Sequence, residues 1–261
     1  MKKINPIFKG GKSLILAYDH GMEHGPKEFN LVNVDPQHIV EIAVKGNYNA
    51  LACQSGIAQH YVDHHKKRVP LILKLNGKTN IPQIEPISLQ NCSVKRAVKL
   101  GADAVGYTIY LGSEREREMF AQFGKIVEEA HDYMIPVMAW IYPRGQFVKD
   151  KLSTDIAAYA ARVGLELGAD AIKLKYNSDK EGFKWVVQSA GKAKVLVAGG
   201  PKVDFGNKYL KEVRDFMEAG ASGMAVGRNV WKSDKPLKVT KALKSIIFDN
   251  AKVKDALKWL K

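Results

Sequence analysis

The chain has 261 residues, a length that fits one large domain or two small ones. It carries 41 Lys and Arg against 27 Asp and Glu, and the resulting net charge of +14 favours anionic partners. No apolar run approaches the roughly 20 residues of a membrane span, and no apolar leader follows the basic start, so we expect no membrane partner and a cytoplasmic location. The basic residues are spread along the chain without interleaved aromatics, which disfavours nucleic acid and favours phosphorylated metabolites as partners.

A short signature recurs where a helical pattern ends and an apolar strand begins. Its clear copies are residues 100–104, 167–171 and 219–223, and residues 45–50 form a weaker one. Glycine suits the left-handed position just past a helix, and the small residues after it permit a tight turn. Strands that alternate with helices in this way predict a parallel sheet.

Eight segments of the chain read as strands. They are Leu14–Tyr18, Ala50–Gln54, Leu71–Leu75, Ala104–Tyr107, Pro136–Ile141, Ala171–Lys175, Val195–Ala198 and Gly223–Val226. Eight strands in this length favour a closed barrel over an open sheet, and no Gly-x-Gly-x-x-Gly follows the first strand as a dinucleotide-binding domain would require. We therefore predict a single α/β domain over residues 1–261, a (β/α)8 TIM barrel.

The clearest helix between these strands is Thr154–Leu167, with Ser153 or Thr154 as its N-cap. Its spacing predicts a buried stripe that includes Tyr159. The stretch Gly77–Ser88 contains prolines and lacks helical periodicity.

The sixth predicted strand alternates aliphatic residues with two lysines. Ile172 and Leu174 share one face, so Lys173 and Lys175 share the other. If both faces are covered, burial and a neighbouring cation lower a lysine pKa, and a neutral amine is a nucleophile for carbonyl groups. An edge strand with two solvated lysines is the alternative. A closed barrel has no edge strand and argues against it.

Active sites of such barrels form where the strands lead into the following loops. The unusual residues at those positions are Asp19, His20 and His24 after the first strand, Lys74 on the third, Trp140, Tyr142 and Arg144 around the fifth, Lys173 and Lys175 on the sixth, Gly199 and Gly200 after the seventh, and Gly227 and Arg228 after the eighth. The glycines of the last two loops offer backbone N–H groups and Arg228 a guanidinium, so we expect these loops to hold a phosphate. Tight turns without a ligand are the alternative.

Two histidine pairs have the i, i+4 spacing of a helical zinc site, His20 with His24 and His60 with His64. Intervening and following glycines make a helix over the first pair doubtful, and the charged surroundings of the second indicate a solvated helix. The two cysteines lack a metal-binding spacing. We therefore expect no metal in the site.

Six motifs resemble those of a known family. They are Asp19-His20-Gly21-x-x-His24-Gly25-Pro26, Leu73-Lys74-Leu75-Asn76-Gly77, Trp140-x-Tyr142-Pro143-Arg144-Gly145, Lys173-x-Lys175-Tyr176, Gly199-Gly200-Pro201-Lys202 and Ala225-Val226-Gly227-Arg228-Asn229. In these motifs the chain resembles the archaeal-type class I fructose-1,6-bisphosphate aldolases, a group that also contains heptulosonate-type synthases. The motifs cover nearly the whole predicted barrel in the expected order.

The resemblance implies a Schiff-base aldolase that needs no external cofactor. The first lysine of Lys-x-Lys-Tyr is the family's Schiff-base residue, which points to Lys173, while Tyr142 matches its proton-transfer tyrosine and Asp19 its motif aspartate. The other matching positions are implied to bind the phosphorylated sugar, with Arg144 at a second phosphate, and they are His24, Trp140, Arg144, Lys175, Gly199, Gly200, Gly227 and Arg228. The resemblance also implies a homo-oligomer, with a decamer as one form.

The mechanism we expect begins with attack of neutral Lys173, kept neutral by burial and by Lys175 or Lys74, on C2 of fructose 1,6-bisphosphate. Tyr142 then moves the C4 hydroxyl proton as the C3–C4 bond breaks, and Asp19 orients the lysine or assists dehydration. A heptulosonate-type synthase or another phosphosugar Schiff-base aldolase is the nearest alternative. A metal-dependent aldolase and a nucleic-acid-binding barrel without catalysis are the others.

Overall fold

The computed structural model describes residues 7–62 and 69–261. Eight parallel strands form a closed barrel in sequence order, and the eighth strand pairs with the first. They are β1 (Ser13–Tyr18), β2 (Ala50–Gln54), β3 (Leu71–Lys74), β4 (Ala104–Leu111), β5 (Val137–Pro143), β6 (Ala171–Leu174), β7 (Lys194–Ala198) and β8 (Gly223–Val226). The predicted (β/α)8 TIM barrel is confirmed, and the extent of the domain over residues 1–261 stays a prediction.

The helices surround the barrel and fill the turns at its mouth. They are α1 (His20–His24), α2 (Pro36–Lys45), α3 (Ser55–Tyr61), α4 (Val94–Lys99), α5 (Glu116–Asp132), α6 (Thr154–Glu166), α7 (Lys180–Ser189), α8 (Asn207–Glu218), α9 (Arg228–Trp231), α10 (Pro236–Ile247) and α11 (Val253–Ala256), with 3-10 turns at Pro26–Glu28 and Leu257–Leu260. Within the described ranges, no helix combines the length and the apolar character that crossing a bilayer requires.

Polar side chains begin four of these helices. Asp35, Ser93, Ser153 and Asp179 precede α2, α4, α6 and α7, and each accepts a hydrogen bond from a backbone N–H two or three residues onward at 2.9–3.3 Å. Such N-caps satisfy donors that the first helical turn leaves unpaired. Of the two residues predicted as possible N-caps of α6, Ser153 and Thr154, Ser153 is the N-cap.

The repeated signature ends helices as predicted. Gly101, Gly168 and Gly220 have φ angles of 70°, 87° and 102°, values that favour glycine because other residues clash there. In the weaker copy the left-handed residue is Asn47, with φ of 48°, instead of the preceding glycine. Asparagine tolerates this conformation better than most side chains do.

The polar residue after each of three turns ties neighbouring strands together. Asn49, Asp103 and Asp170 accept hydrogen bonds from backbone N–H groups at the beginning of β1, β3 and β5, respectively, at 2.9–3.0 Å. Each lies just before the next strand, so its side chain joins two consecutive strands. We call these three residues the turn clasps.

The strands separate an inner core from an outer one. Ile15, Met138 and Leu196 pack inside the barrel, and Ile7 and Phe8 join them and close its lower end. The outward-facing residues form the larger core against the helices. Because side chains alternate along a strand, Lys173 points inward while its neighbours on β6 face the helices.

Helix α6 differs from its predicted buried stripe, most clearly at Tyr159. Tyr159 is 62% exposed, and the buried face consists of four alanines and Gly164. A Cβ atom on Gly164 would lie 2.8 Å from Ile172 of the barrel. The helix therefore approaches the sheet so closely that only small residues fit between them. The stretch Gly77–Ser88 contains no helix, as predicted.

Candidate active site

The upper end of the barrel opens into a cavity of about 790 Å³. Every residue that the sequence placed in the site lines it, and these are Asp19, His20, His24, Lys74, Trp140, Tyr142, Arg144, Lys173, Lys175, Gly199, Gly200, Gly227 and Arg228. Their assembly follows from the fold, because the carboxyl ends of all eight strands meet at one rim.

Lys173 lies inside the barrel with 7% of its surface exposed. It pairs in register with Trp140 of β5, and its Nζ atom is 5.3 Å from the centroid of the indole ring. Burial lowers the pKa of Lys173, the carboxylate of Asp19 opposes this shift, and the guanidinium groups of Arg144 and Arg228 reinforce it. This environment increases the fraction of neutral, nucleophilic amine.

A second buried lysine shares this environment. Lys74 of β3 is 5% exposed, its Nζ atom lies 5.5 Å from the Trp140 ring, and its contact with the Asn76 carbonyl is long, at 3.5 Å. Burial lowers the pKa of Lys74 to about 8, with a further decrease from Lys173. By contrast, Lys175 follows the end of β6 and is exposed at the mouth. Of the two lysines that the sequence offered as the cation near Lys173, Lys74 is the buried one.

Asp19 is the carboxylate that both buried lysines share. Its side chain is 14% exposed, and it lies beside His20 with 3.5 Å between Oδ1 and Nδ1. Burial acts to raise the pKa of Asp19, but Lys173, His20 and Lys74 outweigh burial and lower it. Asp19 is therefore ionised at neutral pH.

Tyr142 faces the cavity from the end of β5. Burial and the nearby Asp19 carboxylate raise its pKa, so the resting side chain is a phenol. The Arg144 guanidinium lies 5.0 Å from the Tyr142 ring and 5.5 Å from that of Tyr110. A 2.7 Å ion pair between Arg144 Nη1 and Glu23 Oε1 fixes this guanidinium.

The loops after β7 and β8 meet at the opposite side of the mouth. Gly200 has φ of 71°, and the buried amide of Asn229 holds its loop by donating to the carbonyls of Gly199 and Pro201, both at 2.8 Å. Gly199 differs from the expectation, because its N–H donates to the Ala225 carbonyl at 2.9 Å and is not free for a phosphate. A Cβ on Gly199 would also lie 2.9 Å from Val226, so close strand packing accounts for this glycine.

Several buried polar atoms in the cavity have no hydrogen-bond partner. Among the described residues there are seven such side-chain atoms, and five belong to residues that line the cavity. These five are His20 Nδ1, Gln54 Oε1, Ser88 Oγ, Trp140 Nε1 and Arg228 Nε. Buried polar atoms are usually paired in folded proteins. Their concentration here indicates a polar ligand with several donors and acceptors.

The sequence did not identify all residues of the cavity. Thr108 and Tyr110 line it from β4, which continues to Leu111 instead of ending at Tyr107. Inward-facing residues alternate along a strand, so counting on from Gly106 in steps of two would have identified Thr108 and Tyr110.

The histidine pairs have different outcomes. His20 and His24 lie on the one-turn helix α1, where a helix seemed doubtful, and their rings stack with centroids 6.0 Å apart. His24 also lies 3.2 Å from Asn80 through Nδ1 and Nδ2. His64 lies outside the described residues. Across residues 7–62 and 69–261, no three His, Cys, Asp or Glu side chains are grouped so that they could hold a metal ion.

Known proteins resemble this chain over most of its length. The model of the DeoC/LacD family of aldolases matches residues 13–233. A relative from Thermoproteus tenax named fructose-bisphosphate aldolase class 1 is 48% identical, over 95% of this chain and 94% of the relative. One of the same name from Halobacterium salinarum is 43% identical, over 97% of each chain.

The similarity extends to three dimensions. A solved archaeal fructose-1,6-bisphosphate aldolase, with its catalytic Lys covalently bound to the carbinolamine intermediate of the substrate, is 48% identical and superimposes with a TM-score of 0.90. The match covers 94% of this chain and 98% of that one.

Proposed function

The chain belongs to the class 1 fructose-bisphosphate aldolases of the DeoC/LacD family, and we propose that it cleaves fructose 1,6-bisphosphate reversibly through a Schiff base on Lys173. The products are glyceraldehyde 3-phosphate and dihydroxyacetone phosphate. The observation that carries this assignment to Lys173 is its buried amine, which lies beside the Asp19 carboxylate at the base of the cavity.

The covalent step needs an uncharged amine. Burial favours the uncharged amine at Lys173, and the guanidinium groups of Arg144 and Arg228 add to the effect. The ammonium of Lys74, buried beside the same Trp140 ring, is expected to act in the same direction. The Nζ lone pair attacks C2. The former carbonyl oxygen takes one proton that originates on the nitrogen and one from solvent and leaves as water, and a C2 iminium remains. Asp19 is ionised and close to Lys173, so it orients the amine and accepts a proton from the nitrogen during these steps.

Bond cleavage then places electrons on the iminium. The C3–C4 pair moves toward C2 to form an enamine, and the C4 hydroxyl loses its proton as its carbon becomes an aldehyde. Tyr142 rests as a phenol. It releases its proton to water as the positively charged iminium forms, and the resulting tyrosinate accepts the C4 hydroxyl proton. Tyr142 next protonates C3, and hydrolysis of the new iminium releases the second product and regenerates Lys173.

Two cationic regions at the mouth fit the two phosphates. Arg228 has a buried Nε without a partner and lies beside the exposed Gly200, which supports one phosphate site. Arg144 and the exposed Lys175 support the other phosphate site. The guanidinium groups of Arg144 and Arg228 each retain free donors after they pair with a carboxylate. The unpaired polar atoms of Gln54, Ser88 and Trp140 are available to the sugar hydroxyls.

Borohydride reduction in the presence of fructose 1,6-bisphosphate tests this proposal, followed by mass mapping of the modified lysine. We expect cleavage to both triose phosphates and modification at Lys173. Modification at Lys175, or no modification, would overturn the assignment. Chelator treatment is expected to leave activity unchanged, and its loss would favour a metal-dependent aldolase.

Three further properties stay predictions. A homo-oligomer rests on the family resemblance, whereas a cytoplasmic location and the lack of nucleic-acid binding rest on sequence composition. Size-exclusion chromatography with light scattering measures the first directly.

A further inference from the structure

The segment after β1 turns back across the mouth and brings an acidic residue to the phosphate loops. Helix α1 ends at His24, Gly25 takes φ of 68°, and the 3-10 turn Pro26–Glu28 follows. Glu28 Oε1 lies 2.9 Å from Arg228 Nη1, and Oε2 lies 3.1 Å from Lys232 Nζ. The carboxylate therefore bridges two cations that lie about 200 positions later in the chain.

This bridge restrains Arg228 from outside the cavity. Arg228 lines the cavity, whereas Glu28 and Lys232 do not. Arg228 Nη1 donates a hydrogen bond to Glu28, and Nη2 lies 3.4 Å from the Gly200 carbonyl, so both terminal nitrogens face protein oxygens. Because the guanidinium is planar and rigid, these contacts also fix the direction of its buried, unpartnered Nε–H.

Lys232 balances the charge of the bridge. An isolated carboxylate beside a phosphate would repel it, but Lys232 occupies the second oxygen of Glu28. The three side chains together carry one net positive charge. Burial acts to raise the pKa of Glu28, while hydrogen bonds from Lys232 and Arg228 outweigh burial and lower it, so Glu28 is ionised.

We propose that Glu28 is a positioning residue of the phosphate site, which holds Arg228 in its binding orientation while Lys232 neutralises the carboxylate. The proposal rests on the proposed function, since it assumes that Arg228 contacts a phosphate of the substrate. It adds two residues outside the cavity to the set that determines affinity for phosphorylated substrates. Phosphate binding then uses Arg228 Nε without displacing Glu28.

Kinetics of the Glu28→Gln and Glu28→Ala variants test the proposal. We expect KM for fructose 1,6-bisphosphate and the inhibition constant of inorganic phosphate each to rise about tenfold in Glu28→Ala, the effect of a lost charged hydrogen bond. The kcat value should stay within about twofold of wild type, because Lys173 is untouched. Glu28→Gln keeps one acceptor oxygen and should show a smaller rise.

Dihydroxyacetone, which lacks a phosphate, separates positioning from a general structural role. The extent to which borohydride traps dihydroxyacetone on Lys173 should be the same in wild type and in Glu28→Ala. A matched control is Glu41→Gln, which removes an exposed Glu41–Lys45 pair on α2 and should leave all constants unchanged.

The remaining outcomes are decisive. A lower KM in Glu28→Ala would mean that Glu28 competes with phosphate, and equal losses with both substrates would mean a structural role; either result overturns the proposal. If wild-type protein does not cleave fructose 1,6-bisphosphate, the proposed function fails. If wild type cleaves it and Glu28→Ala matches wild type, only this inference fails.

Discussion

Trp140 and Lys173 are paired in register across β5 and β6, and the Lys173 Nζ atom lies 5.3 Å from the indole centroid. The ring face favours the ammonium form, whereas burial favours the neutral amine. Lys74 lies 5.5 Å from the same ring, so one aromatic side chain contacts both buried lysines.

Replacement of Lys173 by methionine is expected to reduce cleavage by on the order of 10³-fold or more, since the covalent intermediate cannot form. Borohydride labelling should disappear with activity. Lys175→Met is the matched comparison, and this exposed position should retain labelling. Labelled Lys173→Met protein would identify another nucleophile.

Lys74→Met should move the acidic limb of the kcat/KM pH profile to higher pH. Lys173 attacks as the neutral amine, so activity rises as the pH passes its pKa. The charge of Lys173 lowers the pKa of Lys74. Because repulsion between two cations is reciprocal, removal of the Lys74 charge should raise the pKa of Lys173. Lys125→Met, at an exposed position on α5, should leave the profile unchanged. A shift toward lower pH would contradict the proposed role of Lys74.

The same substitution should also raise the free energy of unfolding at pH 7. Burial lowers the pKa of Lys74 from 10.5 to about 8, so below pH 8 the folded state bears the cost of a buried charge, about 3 kcal/mol. That cost disappears between pH 8 and 10.5, as the folded protein loses the proton first. Urea denaturation across this pH range should show that the free energy of unfolding of Lys74→Met exceeds that of wild type by less as the pH rises. If this difference stayed constant with pH, the buried charge of Lys74 would be excluded as its origin.

Tyr142→Phe should separate Schiff-base formation from carbon–carbon cleavage. We expect kcat to fall about 10²–10⁴-fold, the usual contribution of a positioned proton donor. Trapping of dihydroxyacetone phosphate on Lys173 should persist, because amine attack does not need the phenol. Single-turnover measurements compare the two steps, and equal loss of both would assign Tyr142 to imine formation instead.

Gly106→Ala should disrupt the site through packing alone. An added Cβ would lie 1.8 Å from the Trp140 ring, so the indole must shift. Such overpacking destabilises cores by about 1–3 kcal/mol, and displacement of Trp140 should also reduce kcat/KM. Gly124→Ala on α5 meets no atom within 4 Å and should stabilise instead, by about 0.5–1 kcal/mol. Thermal unfolding and activity of both variants make the comparison, and unchanged activity in Gly106→Ala would remove Trp140 from the mechanism.

Local sequence patterns predicted the barrel and most of the cavity. The glycine after each helix and the apolar strands are local features, and barrel closure then brings Asp19 and Lys173 to one rim. The ion pairs of Glu23 and Glu28 could not be predicted, because their arginine partners lie 121 and 200 positions away. No local periodicity encodes such contacts. Tyr159 was misplaced because the close packing of α6 depends on Ile172 of a neighbouring strand.

The turn clasps divide the barrel into quarters of two strands each. Asn49, Asp103 and Asp170 join β1 to β2, β3 to β4 and β5 to β6, and β7 with β8 completes the ring. Each quarter supplies a different part of the cavity lining. The first supplies Asp19, the second Lys74, the third Tyr142 and Lys173, and the fourth Arg228. No quarter contains all of these residues, so the complete site exists only in the closed ring, and we expect activity during refolding to return only when the ring has closed.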